Sequence, residues 1–354
     1  MAEKSPLLFR GMHGMGDCIH QRALLRQLGK KHTLYLETSW PSIYHDFPDM
    51  IFLRRPVGLR TQSKNAAREA AKFYGGFAPP RTPTMSVSYR AQDIMGCPSK
   101  TILELMCRQT GCDFATADFR LPIPTDWLPP AQAICAMNGS GKPLMVYRPL
   151  TVRPEWRGGG IRNANLSQYA ELLAEVRDQF FIVSVADLVP GREWIVGPQL
   201  KADLALHDGL PFGTLAALFS LADVVYTSGG FGTLLAMAVK TPVVSVLGGF
   251  EPASWASAGA RFSPYLGIEP KVPCACGRSG CAMPCTKELD LPLAAARLRE
   301  FLSSICIQTP DTPRHSMAEM FDSPIRVSSL PLSHQQLQLQ RAMLYSRAST
   351  GMRA

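Results

Sequence analysis

The chain has 354 residues, a formal net charge of +9 and 46% hydrophobic residues. That balance excludes a disordered chain, which combines low hydrophobicity with high net charge. The length suits two domains, and no apolar run reaches the ~18–20 residues of a membrane span. Before Asp17 there is one lysine and no long apolar stretch, so the start does not read as a secretory leader and a cytoplasmic protein is expected.

The charge is uneven. Residues 1–140 carry a net +6, residues 141–305 a net +1 and the tail 306–354 a net +2. A basic first half suits an acidic partner such as a phosphorylated glycan, a lipid headgroup or a nucleic acid. A solvated, solubilising surface explains it equally well.

In chain order, Leu7, Leu8 and Phe9 read as a short buried strand. The glycine-rich turn Gly11-Met12-His13-Gly14-Met15-Gly16 follows. From Asp17 to Leu28 the apolar residues Ile19, Ala23, Leu24 and Leu28 have helical spacing, and Gly29 stops the helix. Thr33–Glu37 and Met50–Leu53 read as further strands. This is the alternation of a parallel α/β sheet. Asn65–Phe73 looks helical, 78–83 extended, and Ser99 is placed to cap a helix from Lys100 to about Gln109. Pro122, Pro124, Pro129 and Pro130, ending in Asn138-Gly139-Ser140-Gly141, mark the best domain boundary.

The alternation then restarts. Strands are expected at Pro143–Arg148, Phe180–Val185, Asp223–Thr227 and Pro242–Leu247, and helices at Ser167–Gln179, Phe212–Ser220, Phe231–Val239 and Leu291–Leu302. The polar tail holds one helical pattern, His334–Arg347. The reading is α/β, with two Rossmann-like domains, 1–140 and 141–305, facing a central cleft, and a tail, 306–354. Ligands of such sheets bind at the carboxyl ends of the strands.

The first motif is Gly14-Met15-Gly16-Asp17-Cys18-Ile19-His20. It lacks the spacing of a dinucleotide fingerprint and the Gly-Lys-Ser/Thr of a Walker loop. Asp17 at a helix start reads first as an N-cap. The second motif runs from Leu221 through Thr227-Ser228-Gly229-Gly230-Phe231-Gly232-Thr233 to Lys240-Thr241-Pro242 and an apolar strand. A strand ending in small residues directly before a helix leaves backbone N–H groups suited to a diphosphate. A tight turn without a ligand is the plainer alternative.

Together these stretches resemble glycosyltransferase family 9, the heptosyltransferase-like enzymes of GT-B fold. The resemblance is specific in about residues 7–28 and 212–250. It implies that Asp17 is the base that deprotonates the acceptor hydroxyl, with Gly16 beside it. It implies that Ser228, Gly229, Gly230, Phe231, Gly232 and Thr233 surround the donor diphosphate. The family pattern has Asp where Ser228 stands and His where Thr233 stands. By the same resemblance, Arg148, Thr151, Arg153, Glu155 and Arg157 line the donor's phosphates and sugar, arginine giving bidentate phosphate contacts. Without it, this loop reads as solvated. His13 is a candidate contact for phosphate or acceptor, and an ordinary loop histidine is as good a reading. Tyr226 and Phe231 are candidates to flank a nucleobase, against the commoner role of core packing.

The implied reaction is direct displacement on a nucleoside-diphosphate sugar by an acidic acceptor such as a glycan or lipopolysaccharide core. It needs no cofactor for the chemistry. Peripheral membrane contact is compatible with such an acceptor. Of the ten cysteines, Cys274, Cys276, Cys281 and Cys285 fall within twelve residues, spaced C-x-C-x4-C-x3-C. Four thiolates suit one structural zinc or iron, with no open position for chemistry. Local disulfides or reduced thiols are the alternatives. Two rival functions stay open: a catalytically inactive protein of the same fold binding nucleic acid or glycan, and a sugar-nucleotide epimerase.

Overall fold

The computed structural model describes residues 4–55, 74–152, 162–274 and 285–305. The expected helices at 65–73 and 334–347 lie outside these residues. The chain divides into two compact units, Met1–Pro122 with Gly230–Lys240 and Ala253–Ser263, and Ile123–Gly229 with Thr241–Pro252 and Pro264–Ala354.

The first unit is built on a parallel sheet in the order β3-β2-β1-β4. Its strands are β1 (Ser5–Arg10), β2 (His32–Thr38), β3 (Ile51–Arg54) and β4 (Thr84–Ser86). Helix α1 (Met15–Leu28) buries Cys18, Ile19, Ala23, Leu24, Leu25 and Leu28, and Gly29 ends it with an N–H bond to the Leu25 carbonyl. Helices α2 (Ala91–Met95) and α3 (Ile102–Thr110) follow β4. The cap of α3 is Thr101, which accepts from the Glu104 N–H at 3.2 Å, and not Ser99. Ser99 instead bonds the Glu104 carboxylate with both its N–H and its hydroxyl.

A fully buried charged side chain, Arg22, sits in this core. The guanidinium of Arg22 on α1 is fully buried and grips Asp46 with two bonds of 2.8 Å. Its other N–H groups reach the carbonyls of Ile43, Phe119 and Arg120. Burial lowers the Arg22 pKa, and although burial alone would raise Asp46, the guanidinium holds its carboxyl below the ordinary value.

The second unit is a six-stranded parallel sheet in the order β12-β11-β10-β5-β7-β9. Its helix α4 (Leu128–Cys135) precedes β5 (Leu144–Tyr147), and β6 (Thr151–Val152) and β8 (Trp194–Ile195) pair antiparallel as a separate two-stranded sheet. Helix α5 (Leu166–Ala174) is capped by Asn165. The remaining elements are β7 (Phe181–Val185), β9 (Leu204–Leu206), α6 (Phe212–Leu221) and β10 (Val224–Ser228). The chain then contributes α7 (Phe231–Ala238) to the first unit. It returns for β11 (Val243–Val246), β12 (Tyr265–Ile268) and α8 (Leu291–Ser304).

The expected Pro/Gly boundary therefore contains a helix, α4, packed on α6 within the second unit. Five short strands, β4, β6, β8, β9 and β12, are present beyond those the sequence predicts. The helix expected over 167–179 ends at Ala174 and is followed by a single 3-10 turn, Arg177–Gln179. Tyr147, Tyr169 and Tyr226 form the aromatic heart of the second core, with centroids 4.9–6.2 Å apart.

His20 on α1 is also fully buried, edge-on to Phe119 at 5.4 Å, with neither ring nitrogen hydrogen-bonded. Burial pulls its pKa down to about 3. The unfolded chain therefore binds a proton between about pH 6.5 and 3 that the folded chain refuses, and stability falls as pH drops through that window. His20→Leu should abolish this sensitivity. The gap between wild-type and variant unfolding free energies should change by about 1.4 kcal/mol in the variant's favour from pH 7.5 to 5.5, measured by urea denaturation.

Candidate functional site

The loop between β1 and α1 is held from four sides within the first unit. The Met12 N–H donates to Gln21 Oε1 at 3.3 Å, and Cys18 Sγ donates to the Met12 carbonyl at 3.2 Å. Trp40 Nε1 donates to the His13 carbonyl at 2.9 Å, and the Arg55 guanidinium bonds the Gly11 carbonyl. Gly11 itself admits no side chain, because a Cβ there would lie 2.7 Å from the Glu37 carbonyl.

The N-cap of α1 is Gly14, so Asp17 is the third helical residue and not the cap. Its carboxylate folds back over the helix start: a Cβ on Gly14 would sit 2.4 Å from Asp17 Oδ2. The other oxygen, Oδ1, accepts a 2.7 Å bond from the hydroxyl of Tyr89. Negative charge in the first turn is favoured by the helix dipole. The neighbouring Cys18 thiol is buried and pushed up to about 12, so it stays protonated and inert.

A second helix start lies beside the first. A Cβ on Gly16 would be 3.4 Å from Phe231 Cα, 3.5 Å from Phe231 N and 3.2 Å from Leu234 Cδ1. Gly16 therefore lies on the side of α1 that faces α7, where a Cβ would meet the Phe231 backbone at ordinary contact distance. The cap of α7 is Gly230, with φ of +96°, a conformation open to glycine. Neither Gly14 nor Gly230 supplies a capping side chain. The first N–H groups of a helix have no intrahelical acceptor, and an anion satisfies them.

His13, in the same loop, has Nδ1 buried without a hydrogen-bond partner, and burial followed by the Arg55 charge lowers its pKa. Exposed Arg10, Arg54 and Arg90 lie at or just beyond the carboxyl ends of β1, β3 and β4. Gly232 and Thr233 are buried within α7, whereas Phe231 is half-buried.

In the second unit the sequence candidates gather at the carboxyl ends of β5 and β10. Arg148 directly follows β5; its N–H bonds the Tyr226 carbonyl at 2.9 Å and its carbonyl accepts from the Tyr169 hydroxyl at 2.7 Å. The Thr151 carbonyl accepts from Asn163 Nδ2 at 3.0 Å. Ser228 and Gly229 are half-buried at the end of β10. Tyr226 belongs to the core, fully buried, with its hydroxyl on the Tyr169 carbonyl. Arg153, Glu155 and Arg157 lie outside the described residues.

Two side chains here carried no sequence signal. Tyr89 is 72 residues from Asp17 in the chain. Glu251, beyond β11, places Oε1 3.0 Å from Arg162 Nε and Oε2 3.7 Å from the Cβ position of Gly229.

Cys276 and Cys281 are outside the described residues. Cys274 and Cys285 are half-buried free thiols. Both act electrostatically on the Lys287 ammonium, whose pKa burial lowers and which donates to the Asn163 carbonyl at 2.7 Å. Among the described residues no group of three or more His, Cys, Asp or Glu side chains is placed to hold a metal.

No family sequence profile matches the chain, and no curated protein matches it in sequence. Solved structures do. A glycosyl transferase family 9 structure from Veillonella parvula superposes with a TM-score of 0.53 at 11% identity, over 85% of this chain and 97% of that one. The fold is that of the family 9 glycosyltransferases. The iron-containing dodecameric glycosyltransferase TibC from enterotoxigenic E. coli matches with a TM-score of 0.53 at 16% identity, over 86% of this chain and 76% of that one. TibC in complex with ADP-D-beta-D-heptose gives 0.52 at 16% identity. This is the heptosyltransferase type of GT-B fold, read from two parallel α/β units, as the resemblance implied.

The geometry makes Gly14 a test of how Asp17 is held. Gly14 has φ of −70°, which any residue adopts. Gly14→Ala should therefore keep the melting temperature within about 4 °C of wild type. A crystal structure of the variant should show the Asp17 carboxylate turned off the helix start.

Proposed function

We propose that the chain transfers a glycosyl group from a nucleoside-diphosphate sugar to an acceptor hydroxyl. The observation that carries this reading is the meeting of two glycine-capped helix starts beside the Asp17 carboxylate. In the reaction the acceptor oxygen attacks the anomeric carbon and its proton passes to Asp17. The bond from that carbon to the diphosphate breaks, and the leaving group departs with the electron pair. In the second unit the Arg148, Arg153 and Arg157 guanidinium groups stabilise the charge that develops on it; Gly230, Phe231, Gly232 and Thr233, at the start of α7 in the first unit, are donor-diphosphate candidates by the family resemblance. Thr151, Glu155, Ser228 and Gly229 complete the donor site. ADP sugars are the first donors to test, since TibC is seen with ADP-heptose.

The acceptor side falls to the first unit, with His13 as a contact. Arg10, Arg54 and Arg90 at the strand ends favour an acceptor bearing phosphate or carboxylate groups. Such an acceptor includes a lipid-linked glycan met at a membrane surface by a cytoplasmic enzyme. No helix among the described residues is long and apolar enough to cross a membrane.

Asp17→Asn should lower transfer by about 10²–10⁴-fold. The thermal shift produced by the cognate nucleoside diphosphate should persist, in a screen of ADP, UDP, GDP, CDP and dTDP with their sugar conjugates. Retention of transfer at the wild-type rate would remove Asp17 from the chemistry. Binding without turnover of any conjugate would favour the inactive binding protein, and interconversion of sugar nucleotides without acceptor the epimerase.

We also propose a structural metal held by Cys274, Cys276, Cys281 and Cys285, iron or zinc. The donor set fits: the outer thiols, Cys274 and Cys285, are free and both interact electrostatically with the same ammonium, Lys287, and four cysteine sulfurs are a donor set that zinc and iron accept. TibC is itself described as iron-containing. The metal would pin the segment between β12 and α8 and takes no part in proton or sugar transfer. Elemental analysis of the purified protein should find about one iron or zinc per chain, lost in a Cys274→Ser, Cys285→Ser double variant.

A further inference from the structure

We propose that Tyr89 is the positioning residue for Asp17, its hydroxyl fixing the plane of the carboxylate at the open end of α1. The inference rests on the transfer reading for its purpose, and on geometry for its substance. Tyr89 Oη donates to Asp17 Oδ1 at 2.7 Å, a charge-assisted bond of near-ideal length. With Oδ1 held, Oδ2 stays over Gly14.

The fold prepares Tyr89 for this. Strand β4 lies parallel to β1 in a register that pairs Arg10 with Ser86, so the two strands leave the sheet side by side. Val87 buries its side chain. Ser88 is clamped by Gln109, which accepts from the Ser88 N–H at 3.2 Å and donates to its carbonyl at 2.6 Å. The Arg90 N–H donates to Asp93 Oδ2 at 3.2 Å. The residues on both sides of Tyr89 are therefore fixed, and its ring is delivered to Asp17 with little freedom left to lose.

Cys18 and Tyr44 interact electrostatically with Asp17, and burial raises the pKa of both, so they stay protonated across the working range. On α7, the close neighbours of the helix start are Phe231 and Leu234. His13 lies in the same loop, and burial followed by the Arg55 charge lowers its pKa. A hydrogen bond to the ionised form favours ionisation. Removing it should move the carboxylate's midpoint upward.

The test is Tyr89→Phe in the full-length protein. With carbon-13-labelled aspartate, the Asp17 carboxyl signal is identified by its loss in Asp17→Asn and titrated directly. The Asp17 midpoint should rise by about one pH unit in Tyr89→Phe, with the melting temperature within about 4 °C of wild type. Tyr89→His, which keeps a ring donor, should recover part of the shift. ADP release from ADP-D-β-D-heptose with acceptor should show kcat falling roughly 10-fold, KM within twofold, and the acid limb of the pH profile moving with the midpoint. An unmoved midpoint overturns the proposal. A moved midpoint with unchanged kcat and pH profile also overturns it, leaving Tyr89 a structural staple. If the wild type releases no ADP while the midpoint moves, the transfer reading with this donor fails and the Tyr89–Asp17 contact stands.

Discussion

The buried guanidinium of Arg22 is the interaction on which the first unit turns. It sits five residues beyond Asp17 on α1 and ties that helix to Asp46 and to the carbonyls of Ile43, Phe119 and Arg120. Arg26, one turn further, shares Asp46 at 2.9 Å. A buried charge is costly unless paired and hydrogen-bonded throughout, and this one is. Losing one partner of such a pair costs about 3–5 kcal/mol, because the other is stranded. The pairing is a poor source of net stability and a strong source of uniqueness: α1 has one depth and one rotation at which all these bonds form. The position of Asp17 follows from that rotation.

The second constraint is close approach. Gly16 sits where α1 meets α7, and a Cβ there would press on the end of the Leu234 side chain at 3.2 Å. The helix that carries the conspicuous Gly-Gly-Phe-Gly motif packs in the first unit, although the strand before it, β10, belongs to the second. Glycines that read in the sequence as a ligand cradle thus divide their labour. Gly16 serves helix packing, Gly230 supplies a positive φ at the cap, and Gly229 keeps room beside Leu247.

The parts of this arrangement legible in the sequence were those with local, strong signals. The strand–glycine–helix alternation, the runs at β1, β2, β10 and β11, and the two motifs with their family resemblance gave the α/β fold that the structural neighbours share. What escaped had physical reasons. Strands β4 and β9 are three residues each, too short to show a period. Helix α4 was hidden because Pro129 and Pro130 read as punctuation, yet proline is well tolerated in a first helical turn, where an N–H has no partner to lose. Tyr89 and Glu251 reach their places through sheet register and loop packing, which no spacing rule encodes.

The surroundings of Asp17 hold its carboxylate in a way that helix capping alone does not require. A capping aspartate needs only its own helix. This carboxylate sits at the third helical position, with one oxygen on a tyrosine delivered by another strand and the other over a glycine that must stay bare. The loop before it is fixed by Gln21, Cys18, Trp40 and Arg55. None of those contacts is required to start a helix. Each removes freedom from the neighbourhood of one carboxylate, so that its orientation is set by the fold and not by the helix end alone.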